Sequence, residues 1–101
     1  MKYTYEEKNK KLKIDLDEDI DMNSCRSLRT IVDGYIMKYS PNVCEVNMAR
    51  VKFMDSSGLG FIMGRYNLAK MIGCNLIIAN PDNSIKKLLS MYKIEDGIKV
   101  I

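Results

Sequence analysis

The chain reads FMDSSGLGFIMGRY over residues 53–66, where an apolar run changes into a helical pattern. Ser56 and Ser57 stand at this change, and Gly58 and Gly60 follow them. A serine at such a place has three open roles: it can cap the helix, act as a catalytic nucleophile, or carry a regulatory phosphate. The surrounding sequence shows how these roles compare.

The composition indicates one ordinary globular domain. A chain of 101 residues, 47% of them hydrophobic and 29% charged, has the length and balance of a single domain with one core. Its net charge is only +3 and its basic residues are dispersed, which argues against nucleic-acid binding. No apolar stretch approaches the ~20 residues of a membrane span, and the start MKYTYEEKNKK has no apolar signal core. We therefore expect a cytosolic protein with no membrane partner.

The cysteines are odd in number and the chain contains no histidine. Cys25, Cys44 and Cys74 lie far apart, without a C-x-x-C spacing, which excludes the usual zinc sites and argues against a disulfide framework. Each lies in an apolar-periodic segment, so all three are predicted to be free core thiols. No metal and no cofactor is expected.

Strands and helices are predicted to alternate, from the two-residue and 3.6-residue periods of the apolar side chains. The chain begins with a hairpin of residues 3–5 and 11–17, in which Leu12, Ile14 and Leu16 face inward. A helix follows from Cys25 to before Pro41, capped by Asn23 and Ser24, and then a strand at 43–48. The remaining elements are a helix after Ser57 ending at Gly73, a strand at 76–79, a helix carrying Ile85, Leu88 and Leu89, and a short strand within 97–101. This order predicts an α/β fold, a mixed β-sheet with parallel central strands and helices packed against it.

The second predicted helix has two apolar sides. Its core stripe, by the 3.6-residue period, consists of Leu59, Ile62, Met63, Tyr66 and Ala69. Phe61 and Leu68 lie roughly opposite, so we expect them to be exposed beside Gly60 and Gly64 as an apolar docking patch. The alternative is that this side packs on a neighbouring element, for instance the third helix. Arg65, on the same side, either pairs with an acidic partner residue or is solvated.

Catalysis is the weakest of the three roles for the serine. The hydrolase elbow G-x-S-x-G needs a glycine where this chain has Asp55, and a general base such as the histidine that is absent. A serine–lysine arrangement stays open in principle. The spacing of Gly58, Gly60 and Gly64 is not that of a nucleotide-binding fingerprint. We expect no enzyme and no catalytic residue.

Three segments together resemble a known family. FMDSSGLGFIMGRY, the earlier DIDMNSCRSL and the final IKKLLSMYKIEDGIKVI are similar, in order and spacing, to the bacterial anti-sigma factor antagonists of the sporulation type, which are built on the STAS domain. The resemblance covers nearly the whole chain and implies one STAS domain over residues 1–101. The chain departs from the family pattern at Glu18, often Gly, and at Ser24-Cys25, more commonly Thr-Ala.

The resemblance implies that Ser57 is a phosphoacceptor. Unphosphorylated family members bind an anti-sigma factor that is also a serine kinase, and this frees the sigma factor. Phosphorylation by that kinase ends the interaction, and a metal-dependent phosphatase of the PP2C type restores it. The residues expected at the partner surface, from the resemblance and from the helix pattern, are Asp21, Met54, Asp55, Ser56, Gly58, Gly60, Phe61, Gly64, Arg65 and Leu68.

The start of a helix suits a phosphate on physical grounds as well. The helix dipole and the free N–H groups favour an anion there, so the fold can survive the modification while the surface shown to a partner changes. Two alternatives remain: a STAS module of another signalling or transport assembly whose serine is not a switch, and a small serine-dependent enzyme. The oligomeric state is open.

Overall fold

The computed structural model describes residues 1–101. Its elements, in chain order, are β1 (Lys2–Glu6), β2 (Lys11–Asp15), α1 (Cys25–Tyr39), β3 (Val43–Asn47), α2 (Ser56–Met71), β4 (Asn75–Ala79), α3 (Asn83–Met91), a 3-10 turn (Ile94–Asp96) and β5 (Lys99–Val100). The predicted order of strands and helices is confirmed.

The five strands form one sheet in the order β1-β2-β3-β4-β5. β1 runs antiparallel to β2, and every later pair is parallel, with a helix on each crossover. Ile14, Val46, Ile78 and Val100 stand side by side across β2 to β5. The predicted α/β class and the mixed sheet with parallel central strands are therefore confirmed.

The core lies between the helices and one face of the sheet. Leu12, Ile14 and Leu16 are fully buried, as their alternation predicted, and they belong to one cluster of 23 buried residues. The opposite face is polar, and there Glu45 forms ion pairs with Lys11 at 3.4 Å and with Lys13 at 3.7 Å. The sheet thus has one packed face and one charged face.

The ends of the helices follow their sequence signals in most places. α1 ends at Tyr39, ahead of Pro41, and Gly73 after α2 has a φ of 73°, the left-handed conformation that glycine adopts without strain. Asp82 caps α3 by accepting a hydrogen bond from the Ile85 N–H at 2.9 Å. None of the helices combines the length and the apolar character that crossing a membrane requires.

The cysteines are free thiols that differ in burial. Cys44 and Cys74 are buried, as predicted, whereas Cys25 is half-buried and packs against the core from its edge. Burial raises the pKa of Cys44 to about 12 and also raises the pKa of Cys74, which keeps both in the unreactive thiol form.

We therefore expect iodoacetamide at mildly alkaline pH to alkylate Cys25 alone in the folded protein. Cys44 and Cys74 should react only after unfolding, because the thiolate is the nucleophile and both side chains are buried with a raised pKa. Peptide mapping by mass spectrometry of native and urea-unfolded samples measures this. Labelling of Cys44 in the folded protein at the rate of Cys25 would contradict the burial of Cys44 in the core.

Candidate functional site

Two loops meet at the carboxyl edge of the parallel strands, one before α1 and one before α2. Ile20 and Met54 form an isolated parallel bridge between them, in which the Ile20 N–H donates to the Phe53 carbonyl at 3.1 Å. The Asp19 carboxylate accepts from the N–H groups of Lys52 at 3.3 Å and Phe53 at 3.1 Å. The two loops are therefore tied to each other by backbone as well as side-chain hydrogen bonds.

The loop before α1 closes on itself around Asp21 and Ser24. Asp21 Oδ1 accepts from the N–H groups of Asn23 at 2.9 Å and Ser24 at 3.0 Å. Ser24 Oγ donates to the Asp19 carbonyl at 2.7 Å and accepts from the Asp21 N–H at 3.1 Å. The prediction that Ser24 and Asn23 cap the helix was wrong, because the Ser24 hydroxyl bonds backward into the loop and the turn is made by the Asp21 carboxylate.

Helix α2 begins at Ser56, two residues before the predicted start after Ser57, and its cap is Asp55. The Asp55 carboxylate accepts from the Ser57 N–H at 2.8 Å, an arrangement that stabilises a helix by about 1 kcal/mol. Ser57 is therefore the second residue of the helix, and its hydroxyl makes no hydrogen bond within the chain. Capping, the first of its three roles, belongs to Asp55.

Ser84 shows what a serine at the same helix position does elsewhere in the chain. It is the second residue of α3, whose cap is Asp82, and its hydroxyl donates to the Asp82 carboxylate at 2.9 Å. Ser57 makes no such bond to Asp55. Of these two serines at equivalent helix positions, Ser57 is the one whose hydroxyl is left free to react or to contact a partner.

Gly58 brings the first turn of α2 down onto the bridge between the loops. A methyl group built on Gly58 would overlap Cγ and Sδ of Met54, and Ile20 lies behind them. Met54 itself is only 6% exposed. The expectation that Met54 lies at a partner surface was therefore wrong, and the side chain supports the helix start from below.

We expect Gly58→Ala to destabilise the protein by roughly 1–3 kcal/mol, because the added methyl overpacks a site that Met54 already fills. Gly64→Ala is the matched control within the same helix: no atom lies within 4 Å of its added methyl, so the better helix propensity of alanine should stabilise the protein by up to about 1 kcal/mol. Thermal unfolding measures both. Equal changes in Tm for the two variants would contradict the close approach of Gly58 to Met54.

The predicted docking patch on α2 does not exist in the expected form. Phe61 is only 4% exposed and Leu68 is half-buried, while Met63, predicted as core, is exposed. The prediction for Phe61 was wrong because α2 is covered twice, by the sheet on one side and by α1 on the other. The alternative, packing on a neighbouring element, is correct, but that element is the first helix and not the third.

Arg65 is a buried half of an ion pair between α1 and α2. Its Nε lies 2.6 Å from Asp33 Oδ1, and its Nη1 donates to the Phe61 carbonyl at 3.3 Å. Burial lowers the pKa of Arg65, and the Asp33 carboxylate opposes this change. Arg65 is therefore neither exposed to a partner nor solvated, as the two alternatives expected, but is paired with Asp33 inside the protein.

A groove of about 560 Å³ lies between the first turns of α1 and α2 and opens beside Ser57. Its lining residues are Cys25, Arg26, Arg29, Ser57, Gly60 and Phe61. Arg26 and Arg29 are exposed, and no carboxylate lies within 4.0 Å of either. Sequence reasoning missed both arginines, although their spacing of three residues in a helix places them side by side.

The residues expected at the partner surface separate into two groups. Ser56 and Gly60 are exposed and Asp21, Asp55, Gly64 and Leu68 are half-buried, whereas Met54, Gly58, Phe61 and Arg65 are buried. Of the accessible members, Asp55, Ser56 and Gly60 lie at the start of α2 near Ser57, whereas Gly64 and Leu68 lie farther along that helix. No three histidine, cysteine or acidic side chains come together as metal ligands.

Comparison with known proteins identifies the family of this chain. The model of the STAS domain family matches residues 2–101. The chain belongs to the STAS domain family. This STAS chain is 29% identical over 76 residues to an anti-sigma F factor antagonist of Paenibacillus polymyxa, a match that spans 75% of the chain and only 65% of that relative.

Solved structures confirm the STAS fold. A Thermotoga maritima protein described as a candidate anti-sigma factor antagonist superposes with a TM-score of 0.89 at 14% identity, over 98% of this chain and 83% of that one. The unphosphorylated form of the anti-sigma factor antagonist SpoIIAA gives a TM-score of 0.72 at 22% identity, over 99% and 87% of the two chains. The phosphorylated form of SpoIIAA from Bacillus gives 0.71 at 21%, over 99% and 91%.

Proposed function

We propose that this STAS domain is an anti-sigma factor antagonist whose binding to an anti-sigma factor is switched off by a phosphate on Ser57. The observation that carries the proposal is the free hydroxyl of Ser57 at the second residue of α2, where Asp55 already caps the helix. The name of the Paenibacillus polymyxa relative supports the class of partner.

The unphosphorylated surface is complementary to its partner around the first turn of α2. Ser56 and Gly60 are exposed there beside Ser57, and the bridged loops hold them in place. The partner is an anti-sigma factor with serine kinase activity, so binding removes that factor from its sigma factor. Transcription from the sigma factor then proceeds.

Phosphorylation changes the charge of this surface and leaves the fold in place. The phosphate adds nearly two negative charges where the helix dipole and the free N–H groups of the first turn favour an anion. Against the partner, the same charges beside Asp55 impose repulsion and desolvation, and about 2.7 kcal/mol is enough for a hundredfold loss of affinity. A phosphatase of the PP2C type resets the switch.

Ser57 is proposed as an acceptor and not as a nucleophile of catalysis. A catalytic serine needs a base within hydrogen-bond reach, and the Ser57 hydroxyl has no partner in the chain. The only groups that line the groove with Ser57 and carry a charge are Arg26 and Arg29, which do not act as bases at neutral pH. We therefore assign the domain no activity of its own.

Phosphosite mapping tests the proposal. The purified chain is incubated with ATP and each kinase-type anti-sigma factor of the source cell, and peptides are mapped by mass spectrometry while complex formation is followed by size-exclusion chromatography. We expect phosphate on Ser57 alone and loss of the complex, with Ser57→Ala unmodified and Ser56→Ala modified as the wild type. A Ser57 that no candidate kinase modifies, or a complex that survives its modification, would overturn the switch.

A further inference from the structure

The groove beside Ser57 contains two arginines that form no ion pair within the chain. Arg26 and Arg29 lie three residues apart in α1, so they are neighbours on the helix surface, where two like charges repel. The four ion pairs of the chain involve other residues. Two adjacent arginines without an acidic partner, in a groove with a serine hydroxyl at its mouth, form a site for an anion.

The neighbourhood of the groove adds to this positive charge. Burial lowers the pKa of Arg65 most, and the positive charge of Arg29 lowers it further. Arg29 therefore lies near the buried pair of Arg65 and Asp33. Asp33, one helical turn beyond Arg29 in α1, is already occupied at 2.6 Å by Arg65. An anion in the groove would therefore meet two free arginines without displacing an existing pair.

The shape and chemistry of the groove suit a phosphate group. Gly60 leaves one wall without a side chain, and Phe61 contributes apolar surface to another. Guanidinium groups bind phosphate oxygens through two parallel N–H bonds, a geometry that lysine does not offer. The volume of about 560 Å³ leaves room for both arginine side chains to move onto a phosphate.

We infer that Arg26 and Arg29 hold the phosphate of phosphorylated Ser57 in the groove between α1 and α2. This inference rests on the proposed function, which supplies the phosphate. The phosphorylated form is then a closed state in which a charge of about −2 on the phosphate is matched by two arginines. The arginines position the phosphate and set how long the switched-off form lasts, because a phosphate held in the groove is shielded from a phosphatase.

The test installs phosphoserine at position 57 by genetic code expansion, so that no kinase is needed. The second pKa of the phosphate, near 6 in free phosphoserine, is measured by ³¹P NMR over a pH titration. We expect it to lie about one pH unit or more lower in the wild-type background than in R26Q/R29Q, because nearby positive charge favours the dianion. Each single variant should give an intermediate value, which keeps the test informative if the double variant unfolds.

Lys38→Gln is the matched control. It removes one positive charge from the same helix, nine residues beyond Arg29 and so roughly 13 Å away along the axis, and it should leave the phosphate pKa unchanged. An identical phosphate pKa in wild type and R26Q/R29Q, or an equal change in Lys38→Gln, would overturn the inference.

A second arm separates phosphoserine from free phosphate as the source of the anion. Unmodified protein is titrated with inorganic phosphate, and the Nε–H signals of the arginines are followed by ¹⁵N NMR. We expect no saturation at millimolar phosphate, since the attachment to Ser57 supplies the local concentration. Saturable binding would overturn the assignment to Ser57 and make the groove a site for a free anion. Failure of kinase mapping, by contrast, leaves these NMR results intact, so the two proposals fail separately.

Discussion

Ser57→Asp is expected to weaken binding to the anti-sigma factor by about tenfold to a hundredfold, whereas Ser57→Ala changes it by less than about threefold. The aspartate adds negative charge at the proposed partner surface, and its position in the first turn of α2 is favourable for the fold itself. Isothermal titration calorimetry with the unmodified partner measures the affinities, and thermal unfolding shows that both variants are folded.

Ser84→Asp is the matched control for this experiment. Ser84 occupies the second position of α3 behind an aspartate cap, so the substitution places the same charge at an equivalent helix start away from the groove. The Ser84→Asp variant should bind the partner with the affinity of the wild type. Wild-type affinity in Ser57→Asp would refute the switch, and an equal loss in Ser84→Asp would show that net charge, and not position, is responsible.

Asp33→Ala is expected to lower the free energy of unfolding by about 2–3 kcal/mol, because it leaves the guanidinium of Arg65 buried without its counterion. The expected loss of stability is smaller than for a fully buried ion pair, because the Asp33 side chain is 33% exposed and water can reach Arg65 once that side chain is removed. For a domain of this size the loss corresponds to a Tm lower by roughly 10–20 °C. Calorimetry or circular dichroism measures it.

The double variant D33A/R65M separates the cost of an unpaired charge from the cost of lost packing. It should recover most of the stability, because methionine fills the space of the arginine stem without a charge to bury. Asp17→Ala removes an exposed pair with the N-terminal amine and should change the stability far less than Asp33→Ala does. A D33A variant as stable as Asp17→Ala would contradict the role of the pair in joining α1 to α2.

The sheet was predictable because its strands carry their own signals. Leu12, Ile14 and Leu16 alternate with polar residues, and the apolar run of β4 is bounded by turn residues. The ends of helices α1 and α2 were also predictable, because Pro41 and Gly73 are local stop signals. The Ser24 cap failed because its hydroxyl had a nearer partner in the Asp19 carbonyl, a competition that local sequence does not decide.

The site was predicted less well because α2 is buried on two sides. The helix plot assumed one core face, whereas Leu59, Phe61, Ile62 and Ala69 spread around the helix, a pattern typical of a helix enclosed by its neighbours. Arg65 had no sequence signal for its pairing, since Asp33 lies in another helix. Ser57 could be singled out from its motif, but the groove exists only when α1 and α2 pack together.

The outermost strands of the sheet offer little to a strand from another chain. β5 pairs with β4 only through Lys99 and Val100, so it offers a very short run of unpaired backbone groups. β1, at the opposite edge, carries Lys2 and Glu6 at its two ends. Short or charged edges resist the addition of strands from another chain, a route to aggregation. The polar and half-buried surface at the start of α2, by contrast, lies away from both edge strands.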